Sequence, residues 1–236
     1  MDLNDLRISE FEGLKLASLS KDKPKTLVIA IPSLLKDPSE DYFLLKSIYS
    51  AGKNLEIIFP LLRISTKNIY IFLEKLDRAF HMLMKFTKNI MEKREYSRFI
   101  TAGYSLGGLL AFRTPLLLPI EKVVLICSGS LLIDLIFNER LRKVFELARG
   151  EIATALREEK VDALIKTYDP YYLAKKVLVD VFIVVCKHSK EPFTEESSEI
   201  LVKILEKKPR WLETSVKTLH LDDIYKLDKI FEKILL

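Results

Sequence analysis

A serine flanked by glycines is the clearest chemical feature of the sequence. Ser105 lies in the stretch FITAGYSLGGLL, which begins with residues typical of a strand and continues as an apolar run with helical character. A serine hydroxyl is a weak nucleophile at neutral pH and needs an exposed position, an adjacent base and donors for the oxyanion that it creates. A sharp turn from a strand into a helix supplies the position, and the amide of Leu106 then points toward the developing charge. The stretch predicts a nucleophilic Ser105 with the Leu106 amide in its oxyanion hole.

The glycines around Ser105 fit the same interpretation. Such a turn brings the backbone close to its neighbours, so glycine is needed two residues to either side of the serine, at Gly103 and Gly107. Gly108 eases the packing of the helix, and Tyr104 completes the turn motif. The stretch lacks the Gly-x-Gly-x-x-Gly spacing of a dinucleotide site, and no Gly-Lys-Ser/Thr follows it, which excludes a phosphate loop.

Composition excludes several other classes of protein. The chain has 236 residues, of which 49% are hydrophobic and 30% charged, as expected for one globular domain with a substantial core. Its net charge of +5 comes from basic residues interleaved with acidic ones, which argues against a nucleic-acid partner. Charged residues and prolines interrupt the longest apolar runs, so we expect no membrane span. The acidic start does not resemble a signal peptide and favours a cytoplasmic location, and the absence of glutamine suggests a thermophilic source.

The two cysteines and three histidines give no metal-binding pattern. Cys127 and Cys186 each end an apolar, strand-like run, and we expect buried free thiols, with a disulfide as the alternative. The histidines are far apart in sequence, and no paired Cys or His spacing occurs. We therefore expect neither a metal nor a cofactor.

Strand-like and helix-like segments alternate along the chain. We expect Ser39 to cap an early helix, a long amphipathic helix from Thr66 to about Tyr96, and a last helix whose apolar stripe runs from Leu221 to Ile234. The predicted strands are LRISEF and LKLASL, which form a hairpin, followed by TLVIAI, NLEIIF, SRFITA, KVVLIC, DVFIVVC and SVKTL. This order predicts an α/β fold, a mostly parallel central sheet flanked by helices on both faces, with the antiparallel hairpin at its edge.

One segment is too long for a simple crossover. Residues 128–177 contain several helical patterns, although one helix would suffice to return the chain to the sheet. We expect an inserted helical lid on a core formed by residues 1–127 and 178–236. Its first apolar residues either line an acyl pocket or pack the lid onto the core: Leu131, Leu132, Leu135, Ile136 and Phe137.

Over nearly its whole length the chain resembles an α/β-hydrolase. The resemblance is carried by the hairpin FEGLKL, by LVIAIPSL as the strand before an oxyanion loop, by GYSLGG as the nucleophile elbow, by the helical segment after the next strand, and by a histidine after the last strand. It implies a serine hydrolase that cleaves an ester or related acyl bond of a small molecule through an acyl-enzyme.

The resemblance also implies a base, because the family order is serine, acid, histidine. His81 precedes the serine inside the long helix, and His188 falls about where the family has its acid, so neither is the preferred base. His220 directly follows SVKTL and precedes the terminal helix, which is where the family's base lies. We expect His220 to be the general base.

The acid belongs, by resemblance, to the segment CKHSKEPFTEES. Glu191 is the candidate there, and Asp134, after the preceding strand, is the alternative because some members take their acid from that position. Asp222 and Asp223 lie close to His220 in sequence but are expected to serve as helix-start charges.

The second oxyanion amide falls, by resemblance, in the loop after TLVIAI. Where relatives usually carry His-Gly, this chain has Ile31-Pro32, so Ser33 would supply the amide, held in place by the fixed φ of the proline. This departure keeps two alternatives open. One is acyl transfer or thioester or amide cleavage on the same fold, and the other is a non-catalytic binding protein. The sequence leaves the oligomeric state open.

Overall fold

Eight strands form a single sheet in the order β1-β2-β4-β3-β5-β6-β7-β8. The structure is a computed structural model that describes residues 6–21, 23–187, 191–206, 215–222 and 224–235. The strands are β1 (Arg7–Phe11), β2 (Leu14–Ser20), β3 (Thr26–Ile31), β4 (Leu55–Pro60), β5 (Arg98–Tyr104), β6 (Lys122–Ile126), β7 (Asp180–Cys186) and β8 (Val216–Leu221). The predicted α/β fold is confirmed.

The first two strands form the predicted hairpin at one edge of the sheet. β1 pairs antiparallel with β2, and β2 pairs antiparallel with β4, whereas all the other pairings are parallel. The connecting residues Glu12 and Gly13 have φ of +50° and +85°, the left-handed conformation that reverses the chain in so short a turn. Since β3 to β8 all run in one direction, their carboxyl ends lie along one edge of the sheet.

Ten α-helices cover both faces of the sheet. They are α1 (Tyr42–Ala51), α2 (Ile69–Lys93), α3 (Gly107–Arg113), α4 (Leu131–Phe137), α5 (Glu139–Val144), α6 (Ile152–Arg157), α7 (Glu159–Tyr168), α8 (Pro170–Leu173), α9 (Glu195–Glu206) and α10 (Leu227–Leu235) in the described part of the chain. Short 3₁₀ turns span Pro38–Asp41, Thr114–Leu116 and Ile224–Lys226.

The core has two parts, one on each face of the sheet. Within β3, Leu27, Ile29 and Ile31 pack with α2, α3 and the helices that follow, while Val28 and Ala30 pack with α1 and α10. A strand covered on both faces has to be apolar at every position, because successive side chains point to opposite faces. The continuous apolar run of TLVIAI follows from this arrangement.

Helix boundaries follow local capping chemistry. The side chain of Asn68 accepts a hydrogen bond from the Ile71 amide and starts α2, whose predicted apolar stripe is buried. The predicted cap at Ser39 is wrong, because Asp37 accepts the Ser39 amide at 2.9 Å and caps the 3₁₀ turn that leads into α1. Pro38 occupies the first position of that turn, so the capping position falls on the residue before it.

The predicted stripe of the last helix spans three elements. Leu221 lies in β8, Ile224 lies in a 3₁₀ turn, and α10 begins only at Leu227. All three residues contact the apolar cluster on the face of the sheet that α1 and α10 cover. Their spacing therefore resembles that of one helix, although the backbone changes conformation between them.

The segment between β6 and β7 contains α4 to α8, as the helical pattern predicted. Leu131 and Leu135 are buried in the core shared with α2 and α3, whereas Leu132 is half-buried. Ile136 and Phe137 are exposed, Phe137 to 72%. The burial of Leu131 and Leu135 shows that these two residues pack onto the core.

The expectation of free thiols is wrong, because Cys127 and Cys186 form a disulfide. Cys127 directly follows β6 and Cys186 ends β7, and these strands are hydrogen-bonded neighbours. The Cys127 amide donates to the Val184 carbonyl at 3.0 Å, and the two Cα atoms are 5.1 Å apart, within the usual range for a disulfide.

No helix in the described ranges combines the length and the apolar character needed to cross a bilayer.

Reducing the disulfide is expected to destabilise the fold. The bond joins residues 59 positions apart, for which the loop-closure estimate is about 4 kcal/mol of the free energy of unfolding. Denaturation with and without dithiothreitol measures this difference, and a Cys127→Ala/Cys186→Ala double variant should be insensitive to the reductant. Alkylation of both cysteines in the unfolded, unreduced chain would contradict the bond.

Candidate active site

The site is built around a sharp turn between β5 and α3. β5 ends at Tyr104 and α3 begins at Gly107, so only Ser105 and Leu106 connect them. Ser105 has a φ of +53°, a left-handed conformation that costs a non-glycine residue roughly 1–2 kcal/mol. Its amide donates to the Ile126 carbonyl of β6 at 2.9 Å, which holds the turn against the sheet. The predicted strand-to-helix turn at Ser105 is confirmed.

The glycines of the turn lie where a side chain has no room. A Cβ built on Gly103 would lie 2.6 Å from the Gly107 carbonyl oxygen, and one on Gly107 would lie 2.1 Å from the Pro32 carbonyl oxygen. A Cβ on Gly108 would lie 2.1 Å from the hydroxyl of Ser128. The turn is therefore in direct contact with the loops that follow β3 and β6.

The hydroxyl of Ser105 is buried, so the expectation that the turn would expose it is wrong in this structure. Ser105 has no exposed surface, and its Oγ has no hydrogen-bond partner among the residues that the structure describes. The same holds for Ser128 Oγ, which lies against α3. Most buried polar side-chain atoms in proteins have a partner, so an unpartnered hydroxyl at such a turn requires a functional explanation.

The two predicted oxyanion donors are the main-chain amides of Leu106 and Ser33, and the Ser33 amide already donates to another group of the protein. Leu106 directly precedes α3, where main-chain amides point out of the helix end. Ser33 follows β3 next to Pro32, and its amide donates to a carboxylate oxygen of Asp41 at 2.7 Å. Asp41 is buried, and burial raises the pKa of its carboxyl group against the opposing effect of the Ser33 hydrogen bond.

Glu191 lies in the same polar cluster. Its buried carboxylate pairs with the ammonium of Lys36, from the loop after β3, and lies close enough to the hydroxyl of Tyr104 to affect its pKa. Burial raises the pKa of Tyr104, and the charge of Glu191 raises it further. For Lys36, burial lowers the pKa, but the hydrogen bond and the charge of Glu191 outweigh this and raise it overall. Glu191 thus lies near the residue immediately before Ser105.

Asp134, the alternative acid, belongs to a separate network. Its buried Oδ1 accepts from Ser197 and, at 3.0 Å, from the side-chain amide of Asn138, while Oδ2 has no partner within the described ranges. Burial raises the pKa of Asp134 to about 6. The residue lines a cleft of about 380 Å³, whose other residues include Phe137 and Arg140.

The two described histidines, His81 and His220, lie on different elements, α2 and β8. His220 is inside β8, paired with Val185, rather than after the strand as predicted, and its side chain is exposed. His81 is an exposed residue of α2, 3.5 Å from Asp77, and His188 lies outside the described residues. Among the described side chains, no three His, Cys, Asp or Glu residues are grouped so that they could hold a metal ion.

Of the two aspartates predicted to serve as helix-start charges, the structure describes Asp222. Asp222 pairs with Lys187, 3.0 Å away, at the end of β7, and Asp223 lies outside the described residues. The pairing joins the segments that follow β7 and β8, which is a tertiary contact rather than a helix cap.

Sequence reasoning missed Lys36, Asp41 and Asp169. Asp169 is fully buried and accepts hydrogen bonds from the Ser130 hydroxyl at 2.8 Å and the Leu132 amide at 2.6 Å. It thereby ties α8 to the loop after β6, and burial raises its pKa to about 6. The signal for Asp169 was the Asp-Pro start of α8, while nothing near Lys36 or Asp41 in sequence pointed to their partners.

Comparison with known proteins agrees on the fold. No family model and no curated protein sequence matches the chain. Solved structures do match. An esterase from Pyrobaculum calidifontis is 12% identical with a TM-score of 0.65, and the match covers 98% of this chain and 82% of that one. Carboxyl esterase 2 from Tuber melanosporum is 13% identical with a TM-score of 0.64, and the match covers 98% of this chain and 86% of that one. A thioesterase domain from the curacin biosynthetic pathway matches at 12% and 0.54, covering 98% of both chains. The chain has the α/β-hydrolase fold.

Adding one methyl group at Gly107 is expected to destabilise the fold. Because its Cβ would overlap a main-chain oxygen, Gly107→Ala should lower the free energy of unfolding by at least about 2 kcal/mol. Gly150→Ala is the matched control, since open space surrounds Gly150, and should change stability by less than about 1 kcal/mol. Urea denaturation measures both, and equal effects would contradict the close approach at the turn.

The raised pKa of Asp134 predicts a pH-dependent contribution to stability. Between the ordinary aspartate pKa of 3.8 and the raised pKa of about 6, Asp134 of the folded chain holds a proton that it has lost in the unfolded chain. The contribution of Asp134 to the free energy of unfolding should therefore fall as the pH rises through this window, by about 3 kcal/mol in total. Asp134→Asn removes this titration, so the stability of the native chain minus that of the variant should decline from pH 4 to 6 and level off above. A constant difference in urea melts across this range would contradict the prediction.

Proposed function

We propose that the chain is a serine hydrolase that cleaves an ester or related acyl bond of a small molecule through an acyl-enzyme on Ser105. The observation that carries the proposal is the turn itself. Ser105 is held at a φ of +53° between two positions that cannot accommodate a Cβ. A serine needed only for packing requires neither the strained φ nor the close approach, whereas a nucleophile gains from both.

In the proposed mechanism, His220 takes the proton of Ser105 as Oγ attacks the acyl carbonyl. The amides of Leu106 and Ser33 stabilise the oxyanion, and the imidazolium returns its proton to the leaving alcohol. A water molecule, deprotonated by His220, then attacks the acyl-enzyme and releases the acid and free Ser105. The position of His220 near the carboxyl end of β8 supports its assignment, since Ser105 follows β5 at the same edge of the sheet. Catalysis requires the imidazole to reach the Ser105 hydroxyl.

Glu191 is the proposed acid, with Asp134 as the alternative. A buried carboxylate can orient the imidazole and stabilise its cation. The effect of the Glu191 charge on the pKa of Tyr104 supports Glu191, because it requires that carboxylate to lie near the residue that precedes Ser105. Asp134 is supported by its burial and by its free oxygen within the described structure.

The proposal also covers the organisation of the chain. Residues 1–127 and 178–236 form the hydrolase core, and residues 128–177 form a lid, which Asp134 joins to the core through Ser197 of α9. The cytoplasmic location and the thermophilic source remain predictions from composition.

A second candidate function, ligand binding without turnover, is supported by two observations. The Ser33 amide donates to Asp41, and the Ser105 hydroxyl is buried, as expected for a hydrolase-like protein that binds ligands without turnover. Thioester or amide cleavage and acyl transfer remain possible reactions of the same serine.

A fluorophosphonate probe tests the proposal directly. The Ser105 oxygen displaces fluoride from the probe, so intact-mass analysis should show one adduct on the native chain and none on Ser105→Ala. The variant should also be more stable by about 1 kcal/mol, because it removes a buried hydroxyl without a described partner. No adduct, under conditions in which a known serine hydrolase labels fully, would favour the binding protein.

The same probe identifies the base and the acid. Of the three histidine variants, His220→Ala should slow labelling at least about 100-fold, whereas His81→Ala should not change it. A large loss in His188→Ala instead would reassign the base. Glu191→Gln is expected to slow labelling more than Asp134→Asn, and the reverse order would reassign the acid.

A further inference from the structure

The amide of Ser33 has a partner inside the protein. A main-chain amide has a single hydrogen, and that of Ser33 points to Asp41 Oδ2 at 2.7 Å. A substrate oxyanion that used this donor would have to take the place of the carboxylate oxygen. The two acceptors carry the same kind of charge and compete for one N–H.

Among the described residues, the carboxylate of Asp41 is held by Ser33 and lies near the charge of Lys36, and it does not cap a helix. Asp41 occupies the residue before α1, yet its side chain makes no capping bond with that helix. Asp37, in the same loop, caps the 3₁₀ turn that precedes α1. Burying a carboxylate is costly, and Ser33, chiefly through its amide, and the charge of Lys36 compensate the burial of Asp41.

The loop that carries Ser33 is held in place at two further points. Leu34 has a φ of +73°, a strained conformation for leucine, and its carbonyl accepts from the Ile64 amide at 2.6 Å. Lys36 pairs with the buried carboxylate of Glu191. The loop is therefore fixed in the conformation in which Ser33 donates to Asp41.

We propose that Asp41 is a built-in occupant of the oxyanion position, and that acyl transfer at Ser105 begins only when its carboxylate withdraws from the Ser33 amide. This inference rests on the proposed function, because it assigns the Ser33 amide to the oxyanion hole. It makes Asp41 a positioning residue that sets the reactivity of Ser105 without touching the reacting atoms. It also accounts for the occupied donor that otherwise favours a non-catalytic protein.

The test compares rates of fluorophosphonate labelling in matched variants. Asp41→Ala frees the Ser33 amide and should label about tenfold faster than the native chain, because one oxyanion donor alone contributes at least that much to rate. Asp41→Asn keeps an acceptor of the same shape without the charge, so its rate should fall between the two. Asp37→Ala removes the cap from the same loop but leaves the Ser33 contact, and should label at the native rate.

The outcomes separate this inference from the proposed function. Labelling that depends on Ser105 but is equal or slower in Asp41→Ala would overturn the inference and leave the hydrolase intact. A structural role for Asp41 predicts such slowing, because a loosened loop would misplace the donor. No labelling in any variant would overturn both. If Asp41→Ala fails to fold, as judged by its thermal melt, an Asp41→Asn rate at or below native overturns the inference by itself.

Discussion

The site depends on close packing of main chain against main chain at the turn after β5. Gly107 lies against the Pro32 carbonyl, Gly103 lies against the first turn of α3, and Ser105 between them takes a left-handed conformation. Without side chains at the two glycines, three neighbouring loops approach the same point. That approach brings the ends of β3, β5 and β6 together at one serine.

Buried charge is the second constraint, and it acts on the same place. Asp41 and Glu191 are both buried beside the loop after β3, and each has a specific partner from that loop, the Ser33 amide and the Lys36 ammonium. A buried carboxylate is tolerated only with such partners, so the loop and the carboxylates fix each other. In this polar cluster the Ser33 amide and the Lys36 ammonium therefore already have partners within the protein.

Two buried acids organise the helical segment between β6 and β7. Asp134 joins α4 to Ser197 at the start of α9, and Asp169 links α8 to Ser130 and Leu132 within the segment. The disulfide joins the carboxyl ends of β6 and β7, and the segment leaves the sheet directly after the first of these ends. These links hold the segment against α2 and α3, where its apolar residues share one core with them.

The strands, the long helix and the serine turn could be predicted from the sequence because each depends on residues close together in the chain. The apolar run of β3, the stripe of α2 and the glycine spacing around Ser105 are local patterns with local causes. Where local spacing was ambiguous, as between β8 and α10, the same apolar residues suited two backbones, and the predicted boundary was wrong.

What the sequence by itself determined was the α/β order and the position of a candidate nucleophile. Only the tertiary structure decided which side chains meet: Ser33 with Asp41, Lys36 with Glu191 across 155 positions, and Cys127 with Cys186 across 59. It also decided that His220 lies in β8 with an exposed side chain. These outcomes depend on strand order and register, which place distant residues at one edge of the sheet, and hydrophobic periodicity carries no information about either.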